Sequence, residues 1–368
     1  MEVTLITNSF YGDKMNPKFI AIGVAAIIVA AGAAVLLMPK ESKGWYSWDP
    51  TVGEVDYTMI SATPKIMDVL EDMYSIVYGE LPSRETEVPA SQLLEYESLV
   101  TDTATGIDVQ SRSSILPLPS TFEDTVSLTD SEIQNMKIIS YSSGLTDCFV
   151  SMLGEEQVWD TVVAAGNSTW TNYPDNDMEK WGENSSLGPE YTISTEYLLS
   201  YLDYAEAKTN GYHYCVVAWG YIKNYDDLHN SLAGAGFKDV DIICIDYYEV
   251  DDFNYLLSII DAMGRIIGID PEDNEGISDF QERLYTVKKA VSGKETGRTV
   301  YLENPSKKSP GKGTLTELCF DALGLVNINT EDGLVMLNDE SIVSDKPSVI
   351  FFSEGDTRTM DQKMRVTM

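Results

Sequence analysis

The fold of the chain is decided by residues 137–164, which read KIISYSSGLTDCFVSMLGEEQVWDTVVA. The short apolar run KIISY is followed by Ser142-Ser143-Gly144 and predicts a buried strand. Leu145 to Leu153 is typical of a helix that Gly154 ends, and Val158 to Ala164 predicts a second strand. A strand, a helix and another strand in this order indicate a parallel sheet with a helix on its face.

The alternation of strands and helices continues toward the C-terminus and is interrupted once. Two helical stretches, Asp251–Ile267 and Gly276–Val291, follow each other with no strand between them. We therefore predict the α/β class, with two three-layer α/β lobes joined by a long helix that contains Asp279–Val291. The other predicted strands are Tyr214–Trp219, Val240–Ile245, Thr299–Leu302 and Ser348–Ser353, and the other predicted helices are Ile193–Ala207, Asp226–Ala235 and Leu315–Leu323.

The N-terminal part of the chain contains an uncharged apolar stretch from Phe19 to Met38, FIAIGVAAIIVAAGAAVLLM. A helix of about 20 apolar residues is long enough to cross the hydrocarbon core of a bilayer. A cleavable signal peptide, whose apolar region is shorter, and a buried core helix are the alternatives. The stretch predicts an N-terminal transmembrane helix and a single-pass protein of the cell membrane.

An extension separates this helix from the first predicted strand. Gly44–Val55 contains turn residues and two Trp and is interpreted as a juxtamembrane stretch. Thr63-Pro64 begins a helix that Gly79 ends, Leu93–Val100 is predicted as a short helix, and Thr121–Asn135 as a hairpin. The predicted organisation is a tail and membrane anchor (1–40), an extension of unknown role (41–120), a first α/β lobe (121–248), a helical connector (249–297) and a second α/β lobe (298–368).

The charge balance excludes several classes of partner. The chain has 25 Lys and Arg against 59 Asp and Glu, a formal net charge of −34. A surface this acidic repels phosphate backbones, so no nucleic-acid partner is expected, and an anionic substrate would need a local basic pocket. Only two His are present, His213 and His229. A zinc or manganese site built on several His is therefore excluded, and we predict no metal site.

The cysteines do not form a metal-binding or redox motif, because no two of them have the C-x-x-C spacing. Two lie in apolar runs that predict strands, YCVVAW and DIICID. Buried free thiols are the favoured interpretation, with disulfides as the alternative. The four are Cys148, Cys215, Cys244 and Cys319.

No catalytic motif is present in the sequence. Gly311-Lys312-Gly313-Thr314 lacks the upstream Gly of a phosphate-binding loop, and Gly separates its Lys from its Thr. No G-x-S-x-G stretch occurs, and neither His lies in the context of a catalytic triad. The sequence therefore gives no support to an enzyme, and we predict no catalytic residue and no cofactor.

Aromatic residues cluster near the ends of predicted strands. Trp170, Tyr173 and Trp181 lie in a long polar loop, and Trp219 and Tyr221 follow the carboxyl end of a strand. Ligands of open α/β sheets bind at the carboxyl ends of strands, and aromatic rings there offer flat apolar surface to a large organic ligand. Packing of the loops against each other is the alternative.

The motifs from Lys137 onward resemble the helical-backbone class of ABC-transporter substrate-binding proteins, which carry ferric siderophores, haem or cobalamin. The order of the motifs around a long helical spacer is similar to that family over Thr121 to Glu354. The residues that carry the resemblance are 137–164, Asn172-Tyr173-Pro174, Thr195-Glu196-Tyr197-Leu198, Gly311–Thr314 with Leu323-Gly324 and Asn327, Asn338-Asp339-Glu340, and Lys346–Ile350.

The resemblance implies a metal-chelate or tetrapyrrole ligand, an ABC permease as partner, and a soluble part outside the cytoplasm. It implies permease docking by Glu196 and Glu340, which match motifs that supply one carboxylate on each lobe. Family members continue beyond the last matched strand, so the second lobe is expected to lack its final strand and helix. The implied ligand-binding residues are Ser142, Ser143, Trp170, Tyr173, Trp181, Trp219 and Tyr221.

A second hypothesis is a structural or sensory surface protein that kept this fold without transport. The acidity, the extension and the missing end of the second lobe motivate it. The sequence does not choose among the chelates.

Overall fold

The computed structural model describes residues 50–56, 63–113, 117–174, 186–190, 192–202, 211–220, 222–237, 240–246 and 252–353. The predicted transmembrane helix at Phe19–Met38 lies outside these residues. Within the described ranges, no helix is long and apolar enough to cross a membrane. The described residues belong to one compact unit that begins at Asp49.

The strands form two parallel sheets and two smaller antiparallel sheets. The strands are β1 (Thr51–Val55), β2 (Val100–Asp102), β3 (Gly106–Gln110), β4 (Thr125–Thr129), β5 (Met136–Ser140), β6 (Val162–Ala165), β7 (His213–Trp219), β8 (Val240–Ile245), β9 (Thr299–Glu303), β10 (Ser309–Pro310), β11 (Val326–Asn327), β12 (Leu334–Val335) and β13 (Val349–Ser353). The antiparallel sheets are β2-β3-β4 and β10-β12.

From residue 143 onward, each predicted helix has an observed counterpart, whereas the helices at Asn167–Asn172, in a stretch predicted to be a polar loop, and at Asp339–Asp345 are not predicted from the sequence. Inside the helix at Ser143–Gln157, Gly154 has φ 76°, so the helical backbone is interrupted where the sequence predicts an end. The helices are α1 (Ile66–Tyr78), α2 (Asp130–Gln134), α3 (Ser143–Gln157), α4 (Asn167–Asn172), α5 (Thr195–Tyr201), α6 (Tyr225–Ala235), α7 (Phe253–Arg265), α8 (Glu275–Val291), α9 (Leu315–Ala322) and α10 (Asp339–Asp345).

The first sheet is parallel and has the strand order β6-β5-β7-β8. Its strands are apolar at successive positions, and neighbouring residues point to opposite faces. Ile138 and Val217 belong to a buried cluster that includes side chains of α3 and α7. Ile139 and Val216 belong to a second cluster that includes side chains of α5 and α6. Helices therefore cover both faces, which confirms a mixed α/β fold with parallel sheets.

The second sheet is also parallel and has the order β1-β13-β9-β11. Its edge strand β1 comes from the extension and pairs with β13 from Thr51 opposite Val349 onward. Arg298 holds this strand in place, because its guanidinium donates to Thr51 Oγ1 at 2.8 Å and to Val77 O at 3.2 Å. The edge beside β13, where the sequence predicts no further strand, is thus filled from the N-terminal side, and Thr51–Val55 forms a strand within the stretch interpreted as juxtamembrane.

The helical connector forms part of the apolar core. Side chains of α1, α3, α7 and α8 share one buried cluster with the inner faces of both sheets, for example Ile138 of β5 and Leu302 of β9. On α8, Phe280, Leu284 and Val287 are buried in this cluster. The helix predicted for Asp279–Val291 is present within α8, and it packs along its length rather than crossing a gap.

The rest of the extension differs from the prediction. The helix predicted at Leu93–Val100 is not formed: a short 3₁₀ turn at Ala90–Gln92 precedes this stretch, and β2 begins at Val100. Thr121–Asn135 is not a hairpin, because its strand β4 pairs with β3 of the extension. The pairing partner lies outside the predicted segment, so the local pattern could not identify it. The four cysteines are buried and free, as favoured from the sequence.

Candidate functional site

The topology of the first sheet implies a crevice between the segments that follow β5 and β7. These two strands are neighbours in the sheet. The chain leaves β5 into α3 on one face and leaves β7 toward α6 on the other face. Segments that diverge in this way open a crevice at the carboxyl ends of the strands, where ligands of open α/β sheets bind. Ser142 and Ser143 lie on one side of this crevice, and Trp219 and Gly220 on the other.

Hydroxyl groups fill the floor of the crevice and bond to each other. Ser140 Oγ donates to Ser142 O at 2.9 Å, and Thr146 Oγ1 lies 2.9 Å from Ser140 Oγ and 3.3 Å from Thr169 Oγ1. The buried Ser142 hydroxyl accepts from Leu145 N at 3.3 Å and so caps α3. These buried hydroxyls are engaged in holding the β5–α3 turn, and Ser142 is fixed by this role.

Ser143 presents its main chain to the crevice. Its N–H donates to Glu190 Oε1 at 2.8 Å. Burial raises the pKa of the Glu190 carboxyl, while the hydrogen bond from the Ser143 main chain opposes the shift. The carboxyl thus lies at the first turn of α3, where the helix dipole favours negative charge.

A cluster of Lys65, Asp147 and Tyr173 closes one side of the site. Lys65 Nζ lies 3.2 Å from Asp147 Oδ1 and 4.2 Å from the centroid of the Tyr173 ring. The Tyr173 hydroxyl donates to the same carboxylate oxygen. Lys65 comes from the extension, whereas Asp147 is on α3 and Tyr173 follows α4. Three separate segments are therefore joined by one charge-assisted contact.

The charge of Asp147 depends on this cluster. Burial raises the pKa of the Asp147 carboxyl, and the Lys65 ammonium, followed by hydrogen bonds from Tyr173, Lys65 and Thr63, opposes the rise. The same burial, together with Asp147, raises the pKa of the Tyr173 phenol, so Tyr173 is the proton donor of the pair. Without Lys65, the carboxylate would be a buried charge with weak compensation.

Thr63 and Trp219 meet over Gly144 at the mouth of the crevice. A Cβ atom at Gly144 would lie 2.6 Å from Thr63 Cγ2 and 2.7 Å from Trp219 Cζ2. Only glycine leaves room for this contact, because real Cβ atoms do not come so close. Thr63 is 1% exposed, so the extension covers the β5 side of the crevice.

The structure separates the predicted ligand-binding residues into three groups. Ser142, Ser143 and Trp219 lie together at the crevice. Tyr173 is 6% exposed beneath Lys65, so a ligand reaches it only when Lys65 moves. Trp170 is half-buried and packs against the core. The predicted residues Trp181 and Tyr221 lie outside the described residues.

Sequence reasoning missed Thr63 and Lys65. The sequence shows them only as the start of a helix in an extension, and nothing local indicates that this helix begins beside the β5–α3 turn. A lone Lys opposite a buried Asp is recognisable only after the fold is known.

The two carboxylates assigned to permease docking are on the surface. Glu196 is exposed in the first turn of α5, and Glu340 is exposed in the first turn of α10. Their exposure is compatible with docking, which stays a prediction.

No protein-family model and no curated protein matches the chain. Solved structures similar to it include a periplasmic heme binding protein from Pseudomonas aeruginosa, with 16% identity over 63% of this chain and 76% of that one, at a TM-score of 0.44. The periplasmic vitamin B12 binding protein of Vibrio cholerae has 18% identity over 64% of this chain and 84% of its own, at 0.43. A petrobactin-binding protein from Bacillus subtilis has 13% identity over 63% and 79%, at 0.43. All three are named as binding proteins rather than enzymes.

Proposed function

We propose that this chain is the extracytoplasmic solute-binding component of an ABC importer and binds a metal chelate, namely a ferric siderophore, haem or cobalamin. The observation that supports the proposal most is the switch point of the first sheet, where the chain leaves the neighbouring parallel strands β5 and β7 toward opposite faces. Open α/β sheets hold their ligands at the carboxyl ends of strands at such a point, and Ser143 and Trp219, two residues predicted from the sequence to bind the ligand, lie at these ends.

The chemistry of the crevice suits a large organic ligand with a flat face. Trp219 is half-buried at its mouth, and an indole ring provides apolar surface for stacking on a macrocycle or an aromatic chelating group. A ligand acceptor that displaces the Glu190 carboxylate would take over the hydrogen bond of the Ser143 main-chain N–H and so be held in one orientation. Because Lys65 and Thr63 cover one side, we infer that binding displaces the start of α1 from Asp147.

The proposal also covers how the protein is attached to the membrane and how it docks onto the permease. Phe19–Met38 is the proposed membrane anchor, with the remainder of the chain outside the cytoplasm. Glu196 and Glu340 are proposed to meet Arg residues of the permease. Exposed carboxylates contribute little to stability, so their value would lie in register and association rate.

A thermal-shift screen of the full chain against ferric siderophores, haem and cobalamin tests the proposal. A ligand at 100 times its Kd stabilises the protein by about 2.7 kcal/mol. The matched control is the metal-free chelator, and Trp219→Ala should lower the shift without lowering the melting temperature of the unliganded protein by a comparable amount. If no chelate shifts the melting temperature, the proposal fails and a structural or sensory surface role replaces it.

A further inference from the structure

A second concave site lies against the extension and has lining residues different from those of the crevice. It is a cavity of about 650 Å³ between residues 95–99, the end of β3 and the first turns of α7. Its volume is in the range of pockets that hold small molecules. None of Ser143, Lys65 and Trp219 lines it, so its occupancy and that of the crevice can be measured separately.

The walls of the cavity are held by contacts with the core. Arg112 N donates to Cys244 O of β8 at 2.7 Å, and Arg112 Nη2 donates to Gln110 Oε1 at 3.1 Å. Ser98 Oγ donates to Asp261 Oδ2 at 2.6 Å, and Asp261 is fully buried on α7. The segment 95–99 is therefore tied to α7, and the polar groups of the cavity are oriented before any ligand arrives.

Aromatic rings form two parts of the lining. The Arg112 guanidinium carbon lies 5.7 Å from the centroid of the Tyr255 ring, and the Tyr255 hydroxyl donates to Asp246 O at 3.0 Å. Tyr96 is half-buried in the lining and packs against the apolar core. Burial, and then the Asp261 carboxylate, raise the pKa of Tyr96 to about 12, so its phenol stays protonated.

The charges of the lining narrow the chemistry of the ligand. Three carboxylates, Glu95, Glu97 and Asp252, together with the net charge of −34, oppose an anion. The Arg112 guanidinium offsets one of these three charges and adds hydrogen-bond donors to a lining that is rich in acceptors. A neutral ligand that both donates and accepts hydrogen bonds can satisfy carboxylates, guanidinium and the amides of Gln110 and Asn254 at once.

We propose that this cavity binds a small neutral polyhydroxylated ligand, a mono- or disaccharide. The hydroxyls of the saccharide donate to the carboxylates of the lining and accept from Arg112. The apolar face of the sugar ring packs against the Tyr96 ring. The extension thus adds a carbohydrate site that is independent of chelate binding at the crevice.

Calorimetric titration of the full chain with glucose, galactose, mannose, N-acetylglucosamine and maltose tests this site. We expect at least one of them to bind with an affinity that does not change between low and high salt, because the ligand is neutral. Tyr96→Ala should weaken binding about tenfold, the loss expected for one good aromatic contact. Gln110→Ala should also weaken saccharide binding. Because Gln110 is exposed, this variant tests the site even if Tyr96→Ala does not fold.

Two further variants distinguish a neutral saccharide ligand from a charged ligand and from nonspecific binding. Tyr197→Ala removes a ring that is 51% exposed on α5, and it should leave saccharide binding unchanged. Glu97→Gln keeps an acceptor and removes a charge, so it should change saccharide affinity less than about twofold. Binding of putrescine or sulfate in place of every sugar, or binding of none of the five sugars, overturns the proposal. If the protein binds a sugar but no chelate, the proposed function at the crevice fails and the saccharide site stands.

Discussion

Removing the Lys65 ammonium should reveal how strongly the extension is held to the crevice. In Lys65→Met the apolar stem remains, but Asp147, whose side chain is 5% exposed, loses its counter-charge. Breaking a buried ion pair costs roughly 3–5 kcal/mol. Lys65 is 23% exposed and Tyr173 still donates to the carboxylate, so we expect a smaller loss, about 2 kcal/mol.

The loss should depend on pH in a defined direction. Burial already places the pKa of Asp147 above its usual value, and Lys65 opposes that shift. Without Lys65 the pKa rises further, so the folded variant holds its proton to a higher pH than the folded wild type. The stability difference is therefore small at low pH, where the carboxyl is neutral in both proteins. It grows as the pH rises through the two folded-state pKa values and is complete above them.

Urea unfolding of both proteins at several pH values from about 4 to 8 measures this difference. At neutral pH the melting temperature should fall by about 3 °C. Lys289→Met is the matched control, because Lys289 pairs with Glu85 on the surface, and its loss should change stability far less at every pH. An equal loss at all pH values in Lys65→Met would refute the electrostatic account and leave only packing.

Two further predictions concern the edge strand and the docking residues. Gly53→Val should destabilise the protein by about 1–3 kcal/mol, because a Cβ there lies 2.7 Å from Ile76 Cδ1 and Cγ2, and the added Ile76→Ala change should recover part of the loss. Gly234→Ala, where a Cβ meets open space within α6, should instead stabilise by about 0.5–1 kcal/mol in the same urea measurement; a loss there would contradict the packing argument. Reversing both Glu196 and Glu340 to Lys should leave melting and chelate binding unchanged and abolish uptake. Normal uptake by cells that depend on this protein would refute the docking assignment.

The longer strands and helices after residue 136 could be predicted because their signals are local, whereas the short helices at Asn167–Asn172 and Asp339–Asp345 and the two-residue strands are not predicted. Buried parallel strands read as short apolar runs, and the helices between them carry apolar residues at helical spacing. Val240–Ile245, for example, is predicted and observed with the same ends. Ser143 and Trp219 could also be predicted to share one crevice, because both follow the carboxyl ends of neighbouring parallel strands.

The second sheet's edge strand and the Lys65 cluster could not be predicted in this way. The burial of β1 is intermediate over most of its length, so TVGEV shows neither an apolar run nor a clear alternation. Its partner β13 lies near the other end of the chain, and only long-range pairing identifies the strand. The role of Lys65 could not be predicted for the same reason, because its contacts with Asp147 and Tyr173 join segments that are distant in sequence.

The central claim, that a metal chelate binds beside Trp219, is tested most directly by fluorine NMR of the chain labelled with fluorotryptophan. The Trp219 resonance is assigned by its loss in Trp219→Phe. A paramagnetic ferric siderophore is then compared with the same siderophore carrying diamagnetic gallium. We predict that the ferric complex broadens the Trp219 resonance strongly, and that the gallium complex only shifts it. A bound ferric complex that leaves the Trp219 resonance unbroadened would contradict the account.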